Sequence, residues 1–190
     1  MASVSPTTRA VFFDRDGVLN EALVKEGRPL PPARLEDLRI IAGAEEGLAA
    51  LAAAGFILVG VTNQPDVARG TQSREAVEAM NRALLSALPL QEILVCYHDD
   101  ADNCGCRKPR PGLILAASTK YRIDLSQSFL VGDRWRDVEA GRRAGCRTIL
   151  VDYRYAETYR GQAPDIRTSS LAEAVRVILG RVAEGEGMHA

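Results

Sequence analysis

Long apolar runs are what this sequence most plainly lacks. No stretch approaches the roughly 20 consecutive apolar residues that a membrane-spanning helix requires, so no membrane is expected among its partners. Aromatic residues are scarce, at 5% of 190, which leaves few of the stacking platforms that grip single-stranded nucleic acid. Neither sign of charge is in excess: 24 Lys and Arg against 25 Asp and Glu give a net charge of −1, too little for a global field that would attract nucleic acid or anionic lipid. Any anionic ligand must therefore be held by local groups. The first eight residues have neither a basic start nor an apolar core, so no signal peptide is expected and a cytoplasmic location follows. There are only four cysteines, and three fall between positions 96 and 106. Disulfide frameworks of small secreted domains spread theirs along the chain to close loops. The clustering points instead to a metal.

Length and an apolar fraction of 46% suit one soluble domain. The expectation is a single domain over residues 9–184, with flexible tails at 1–8 and 185–190. Residues 9–13, 55–61, 92–96, 128–131 and 147–151 are short apolar runs, partly β-branched, as expected of strands covered on both faces. Between and after them, residues 44–54, 73–88, 112–121, 134–144 and 170–183 are rich in helix formers. Ser73 and Asp133 are candidate N-caps, and Gly55 and Gly145 candidate stops. Strands alternating with helices predict an α/β fold: a doubly wound, mainly parallel sheet with helices on both faces and ligands at the carboxyl ends of its strands.

Chemistry-bearing residues recur at those ends. Asp14-Arg15-Asp16-Gly17 follows the first strand and Thr62-Asn63 closes the second. Lys108 follows the third, and Gly132-Asp133 ends the fourth, with Asp137 beyond it. Each alone has an ordinary explanation: an acidic turn, a helix cap or a surface lysine. Random placement would rarely give the whole series in that order.

Cys96-Tyr97-His98 and Cys104-Gly105-Cys106 supply three thiols and one imidazole, the ligand number and softness of a closed tetrahedral zinc site. With four protein ligands no position stays open for water, so such a metal is structural and braces the loop at 96–106. The alternative is a surface loop of free thiols beside the acidic stretch at 99–102, which a reducing cytoplasm tolerates.

The strand-end residues resemble the four motifs of the haloacid dehalogenase (HAD) superfamily, and the resemblance spans nearly the whole chain. It implies a phosphatase in which Asp14 attacks phosphorus to give an aspartyl-phosphate and Asp16 is the general acid and base. It also implies that Thr62 and Lys108 steady the phosphoryl group, and that Mg2+ is held by Asp14, Asp133 and the Asp16 carbonyl. Asp137 is expected beyond the metal's own ligands. Within the superfamily, the zinc loop running into Arg107-Lys108, with Thr62-Asn63-Gln64, Ala68-Arg69-Gly70 and Asn20, is similar to the D-glycero-D-manno-heptose-1,7-bisphosphate 7-phosphatases, and histidinol-phosphate phosphatases are close relatives. A small sugar phosphate is the implied substrate. Asn63, Gln64, Arg107 and Arg134 are the expected substrate-binding residues, the two arginines for a second anionic group.

The chain departs from those relatives at Leu23-Val24, Pro65-Asp66 and Arg134, positions that bear on substrate more than on reaction. Little sequence is left over for a separate cap domain, so specificity should lie in the loops at 21–32 and 64–70 and in the zinc loop. A capless monomer is the expectation. Other readings are histidinol-phosphate phosphatase, nucleic-acid end phosphatase and idle phosphate-binding domain. The second would need a basic groove or stacking aromatics, and the third has no use for Asp16, Thr62 and Lys108 together.

Overall fold

The computed structural model describes residues 8–186. Its centre is a six-stranded, all-parallel sheet built from β1 (Ala10–Phe13), β4 (Ile57–Asn63), β5 (Glu92–Cys96), β6 (Phe129–Gly132), β7 (Arg147–Val151) and β8 (Ile166–Thr168), in the order β5-β4-β1-β6-β7-β8. The first strand therefore lies in the interior with neighbours on both sides: Phe13 pairs with Gly60 of β4 and with Val131 of β6. The chain winds outward from β1 in one direction and then returns to wind outward in the other, which leaves a crevice at the carboxyl ends of the three middle strands.

Alternation along β1 explains the layers. Val11 and Phe13 project into one apolar core, closed by α1 (Ala44–Ala53), α2 (Arg74–Ala87) and α5 (Leu171–Glu186) through Leu48, Leu51, Leu84, Leu171 and Ile178. Ala10 and Phe12 project into a second core, against Leu113, Ile114 and Ala117 of α3 (Gly112–Tyr121) and Ala140 of α4 (Trp135–Ala144). A strand buried on both faces disfavours polar residues within the sheet, and Asp14 is the first polar position of this one as it leaves. Each fully buried Phe or Leu adds about 1.5–3 kcal/mol of transfer free energy, so the frame that carries the site is rigid.

Helix boundaries follow local chemistry. Ser73 Oγ accepts from Ala76 N (3.1 Å) at the start of α2, and Gly145 ends α4. Asp133 is not the N-cap of α4, contrary to the sequence expectation. That position belongs to Arg134, whose backbone N–H donates to Asp137 Oδ2 (3.1 Å). The Asp133 side chain is drawn into the crevice instead.

Further departures concern short elements. Five central strands are expected and six form, because β8 is only three residues of sheet edge. The loop at 21–32 holds a small antiparallel hairpin, β2 (Leu23–Lys25) and β3 (Arg28–Leu30), turning at Glu26 and Gly27, both at positive φ. Thr8, placed in the N-terminal tail by sequence, bridges to Ile123, and α5 runs into the expected C-terminal tail as far as Glu186. The rest of both expected tails, residues 1–7 and 187–190, lies outside the described residues. Among the described residues, no helix is long and apolar enough to cross a membrane.

Candidate active site

Register alone brings the strand ends together. Asp14 N donates to Val131 O (2.9 Å) and so extends β1 one residue past the sheet. Thr62 is near the end of β4, Asp133 follows β6, and Asp137 lies on the first turn of α4. Two glycines permit the crowding: a Cβ on Gly17, at φ 91°, would collide with the Asp133 carboxylate, and one on Gly132 would overlap Asp137.

Lys108 stands at the centre, 2% exposed. Its ammonium contacts Asp14 Oδ1 at 2.8 Å and Asp137 Oδ1 at 2.6 Å and donates to Val61 O at 2.7 Å. Burial works against its charge, but Asp137 and Asp14 outweigh burial and hold its pKa above the ordinary lysine value. The lysine is positioned by Asn63, whose Oδ1 accepts from Lys108 N (3.0 Å) and whose Nδ2 donates to Lys108 O (3.0 Å).

One ammonium therefore faces three carboxylates: the ligand atoms of Asp14, Asp133 and Asp137 all lie within 4.8 Å of one another. Burial first, then Asp137, pushes Asp14 up to about 6 despite Lys108. Burial and the charges of Asp14 and Asp137 carry Asp133 well above the carboxylate range. Both Asp137 oxygens are engaged, by Lys108 and by Arg134 N. Both Asp133 oxygens are buried without a hydrogen-bond partner, although the Tyr155 phenol lies alongside. A pocket short of positive charge, with an orphaned carboxylate facing the Asp14 side chain, fits a hard divalent cation that takes oxygen ligands. Asp137 is the carboxylate least free to ligate it.

Asp16 is turned away from that trio. Arg15, fully buried, donates through Nε and Nη2 to its carboxylate (3.0–3.1 Å) and through Nη1 to Asn81 Oδ1 (3.1 Å). Asn20 Nδ2 (3.0 Å) and Gln64 Nε2 (2.7 Å) complete the cradle. Gln64 also donates to Thr62 Oγ1 (2.9 Å), which leaves the Thr62 hydroxyl proton for another acceptor.

The second cluster lies at the head of the segment leading to Lys108. Cys96 Sγ is 3.7 Å from Cys104 Sγ and 3.3 Å from Cys106 Sγ, and His98 Nδ1 is 3.7 Å and 3.4 Å from the sulfurs of Cys96 and Cys106. A tetrahedron with metal–sulfur bonds of about 2.3 Å has edges of roughly 3.8 Å, so the four side chains fit a zinc-sized ion. Cys146 lies apart in the second core.

Above the carboxylates opens a cleft of about 560 Å3, floored by Asp14, Asp16, Thr62, Asn63 and Lys108. Its walls are Arg28, Pro29 and Leu30 of the hairpin with Pro31 beyond it, Pro65, Asp66 and Arg69, the start of α4, and Ala156, Glu157, Thr158 and Arg160.

The segment 105–174 matches the HAD-hydrolase-like family model. The D-glycero-beta-D-manno-heptose-1,7-bisphosphate 7-phosphatase of Photorhabdus laumondii is 33% identical over 187 residues, covering 90% of this chain and 95% of its own. That of Rhodopseudomonas palustris is 36% identical over 157 residues, covering 76% and 84%. The chain belongs to the heptose-bisphosphate phosphatase family of HAD hydrolases. Solved structures agree. The D,D-heptose 1,7-bisphosphate phosphatase of B. bronchiseptica, complexed with magnesium and phosphate, superposes with a TM-score of 0.77 at 27% identity, over 92% of this chain and 99% of its own. A putative HAD-like phosphatase of Mesorhizobium loti gives 0.74 at 27%, over 94% and 88%.

For a HAD phosphatase the fate of each expected residue is now plain. Asp14, Asp16, Thr62 and Lys108 share the cleft floor, and Asp133 stands beside Asp14. The expected substrate-binding set does not hold together. Both ends of the Asn63 amide are used by the Lys108 backbone, and Gln64 is buried on Asp16 and Thr62. Arg107, 9% exposed, donates Nε to Asp100 Oδ1 (2.8 Å) and is absent from the cleft lining. Arg134 does line the cleft, but Glu157 holds its guanidinium through two bonds (2.9 and 2.6 Å). Sequence reading passed over Arg15, the buried clamp on Asp16, because it sits between two carboxylates as if a spacer. Its only signal was a charged residue where a turn calls for none.

Asn63→Ala should lower kcat by roughly 10²-fold through loss of the Lys108 clamp, since a displacement of about 1 Å at a reacting group has that effect. Steady-state kinetics with a circular-dichroism check of folding would measure it. Wild-type kcat in the folded variant would remove Asn63 from this role.

Proposed function

We propose that this phosphatase removes the 7-phosphate of D-glycero-D-manno-heptose 1,7-bisphosphate through an aspartyl-phosphate on Asp14. The observation that carries the reaction is the charge-deficient trio of buried carboxylates around Lys108, opening onto a cleft that a phosphate ester can enter. The substrate rests on the relatives named above, which align along most of the chain.

Asp14 attacks phosphorus in line with the sugar oxygen; the Asp14 O–P bond forms as the sugar O–P bond breaks, and Asp16 gives the departing alkoxide its proton. Water then enters along the same axis, returns its proton to Asp16 and releases phosphate with a regenerated Asp14. Thr62 donates its hydroxyl proton to a phosphoryl oxygen. Lys108 holds Asp14 ionised and its attacking oxygen directed, while Asp137, engaged on both oxygens, fixes Lys108. Arg15, Asn20 and Gln64 hold the Asp16 carboxylate in its place.

Asp14, Asp133 and the Asp16 carbonyl would hold Mg2+, which supplies the positive charge that lets an anionic nucleophile approach an anionic ester. Cys96, His98, Cys104 and Cys106 would hold Zn2+ as a brace for the loop that leads into Lys108.

The deciding measurement is a kcat/KM panel over heptose 1,7-bisphosphate, other sugar phosphates and histidinol phosphate, with Asp14→Asn as control. Heptose bisphosphate should rank first and the variant should be inactive. A histidinol phosphate preference would overturn the substrate, and an active variant the mechanism.

The metal has a pH signature. Asp14 rises to about 6 in the fold, above its value in an unfolded chain. A raised acid favours protonation in the folded state, so the metal-free fold loses stability as pH climbs from the ordinary carboxylate range through about 6. A bound cation neutralises the buried charge and removes that loss. Magnesium should raise Tm more at about pH 7.5 than at about pH 5, with protons released on binding. A pH-independent rise in Tm would contradict the assignment.

Elemental analysis of the purified protein should give about one zinc per chain. A zinc-free preparation of full thermal stability would leave the Cys96 cluster without that role.

A further inference from the structure

Tyrosines stand at alternate positions beyond β7, in Asp152-Tyr153-Arg154-Tyr155. Because β7 pairs in parallel with β6, the chain beyond β7 emerges beside the chain beyond β6, where Asp133 lies. Local contacts hold Tyr155 in that place. Arg154 takes left-handed backbone, φ 55°, which a residue with a side chain keeps only under restraint, and its N–H donates to Asp152 Oδ1 (2.9 Å). On the other side of Tyr155, Ala156 N donates to Gly27 O (2.8 Å). The ring itself packs against Tyr153, with centroids 5.6 Å apart. Tyr153 and Arg154 are exposed, but Tyr155 is turned inward and half-buried.

Its phenol meets the Asp133 carboxylate in the space that Gly17 leaves. A Cβ on Gly17 would lie 2.0 Å from Asp133 Oδ2 and 3.3 Å from the Tyr155 hydroxyl oxygen. Burial and then the Asp133 charge raise the Tyr155 pKa, in keeping with that closeness. Tyr155 approaches from behind the site: it is absent from the lining of the substrate cleft and lines a second cavity of about 470 Å3 with Gly17, Glu21, Val24 and Ile41.

Asp133 needs such a neighbour. Both its oxygens are buried without a hydrogen bond, and an ion that takes one of them leaves the other unsatisfied, which burial penalises. The cationic donors nearby are spent. Lys108 is committed to Asp14, Asp137 and Val61 O, and Glu157 holds the Arg134 guanidinium. A tyrosine hydroxyl keeps its proton at neutral pH and can donate it.

We propose that Tyr155 is a positioning residue for the catalytic cation: its hydroxyl donates to one Asp133 oxygen and leaves the other directed at Mg2+. The proposal rests on Asp133 as a magnesium ligand, but not on which sugar phosphate is bound. Groups that hold a metal's own ligands in place typically change its affinity about 10–100-fold when removed.

Magnesium binding, measured by calorimetry on magnesium-free protein without substrate, tests it. Tyr155→Phe keeps the ring on Tyr153 and removes only the hydroxyl. It should fold like the wild type by circular dichroism and bind Mg2+ about 10-fold more weakly, with kcat and KM at saturating magnesium unchanged. Tyr153→Phe should match the wild type throughout. Magnesium should also perturb the tyrosine ultraviolet absorption of the wild type, a signal lost in Tyr155→Phe and kept in Tyr153→Phe. Wild-type Mg2+ affinity in Tyr155→Phe, an equal loss in Tyr153→Phe, or a fall in kcat at saturating magnesium with affinity intact would each overturn the assignment. A wild-type absorption indifferent to magnesium would overturn it without any variant. Asp133→Asn separates the two readings. If that variant binds magnesium as the wild type does, Asp133 is not a ligand and both readings fail. If it loses magnesium while Tyr155→Phe does not, Tyr155 alone fails.

Discussion

The candidate active site is arranged around the ammonium of Lys108. A charge buried to 2% exposure is tolerable only if each of its protons is taken, and here they go to Asp14, Asp137 and the Val61 carbonyl. Those partners come from the ends of β1 and β4 and from the first turn of α4, so one side chain ties together three pieces of chain far apart in sequence. The backbone around it is held by Asn63, at the end of β4. Removing the ammonium would leave three carboxylates in a poorly solvated pocket. Burial already pushes Asp14 and Asp133 upward, and without the ammonium Asp14 would keep its proton and the proposed nucleophile would be lost before any phosphate arrived.

The lysine is in turn placed by what precedes it. Cys106 is two residues upstream, and the loop it closes carries an outward-facing acidic turn. Asp99 grips Arg69, and that bond, more than any other contact, holds the Asp99 carboxyl down at about 2. Asp100 takes Arg107 at 2.8 Å and Arg136 at 3.4 Å. A loop with no apolar core of its own thus reaches the 64–70 segment and α4 through ion pairs. Exposed pairs of this kind are individually worth about 0–1 kcal/mol, too little to order a loop by themselves. They act as orienting contacts once the Cys and His side chains are drawn together. The cluster and the acidic turn are parts of one device that sets the cleft arginines.

Much of this could be read before any coordinates. Strand-and-helix alternation is a strong periodic signal, and β1, β4, β5, β6 and β7 were each visible as short, mainly apolar runs. The candidate catalytic set was visible because Asp14, Thr62, Lys108 and Asp133 stand where those strands end, which is where a parallel sheet can bear polar groups. What escaped was short or depended on partners. The three-residue strands of the hairpin and β8 carry too few positions for a pattern. The roles of Asn63, Gln64 and Arg107 turned on contacts at 2.7–3.0 Å that no spacing encodes, and 153–165 reads as featureless loop although part of it forms a cleft wall. Residues that bind the backbone or another side chain are indistinguishable in sequence from residues that bind a ligand. The difference lies in which partner reaches them first.

Partner choice also explains how a capless cleft can discriminate. With no lid among the described residues to expel water, exposed guanidinium groups interact with an anion weakly unless their geometry is fixed beforehand. Arg69, Arg134 and Arg136 are pre-ordered by Asp99, Glu157 and Asp100, but their charge is largely compensated by the same carboxylates. Arg28 and Arg160 are exposed and uncompensated, so fixing either one carries a loss of side-chain entropy. The two kinds of arginine therefore differ: the paired ones shape a rim of little net field, and the free ones keep their charge uncompensated. The buried Lys108 network, by contrast, is held by its own partners and needs no ordering when a ligand arrives.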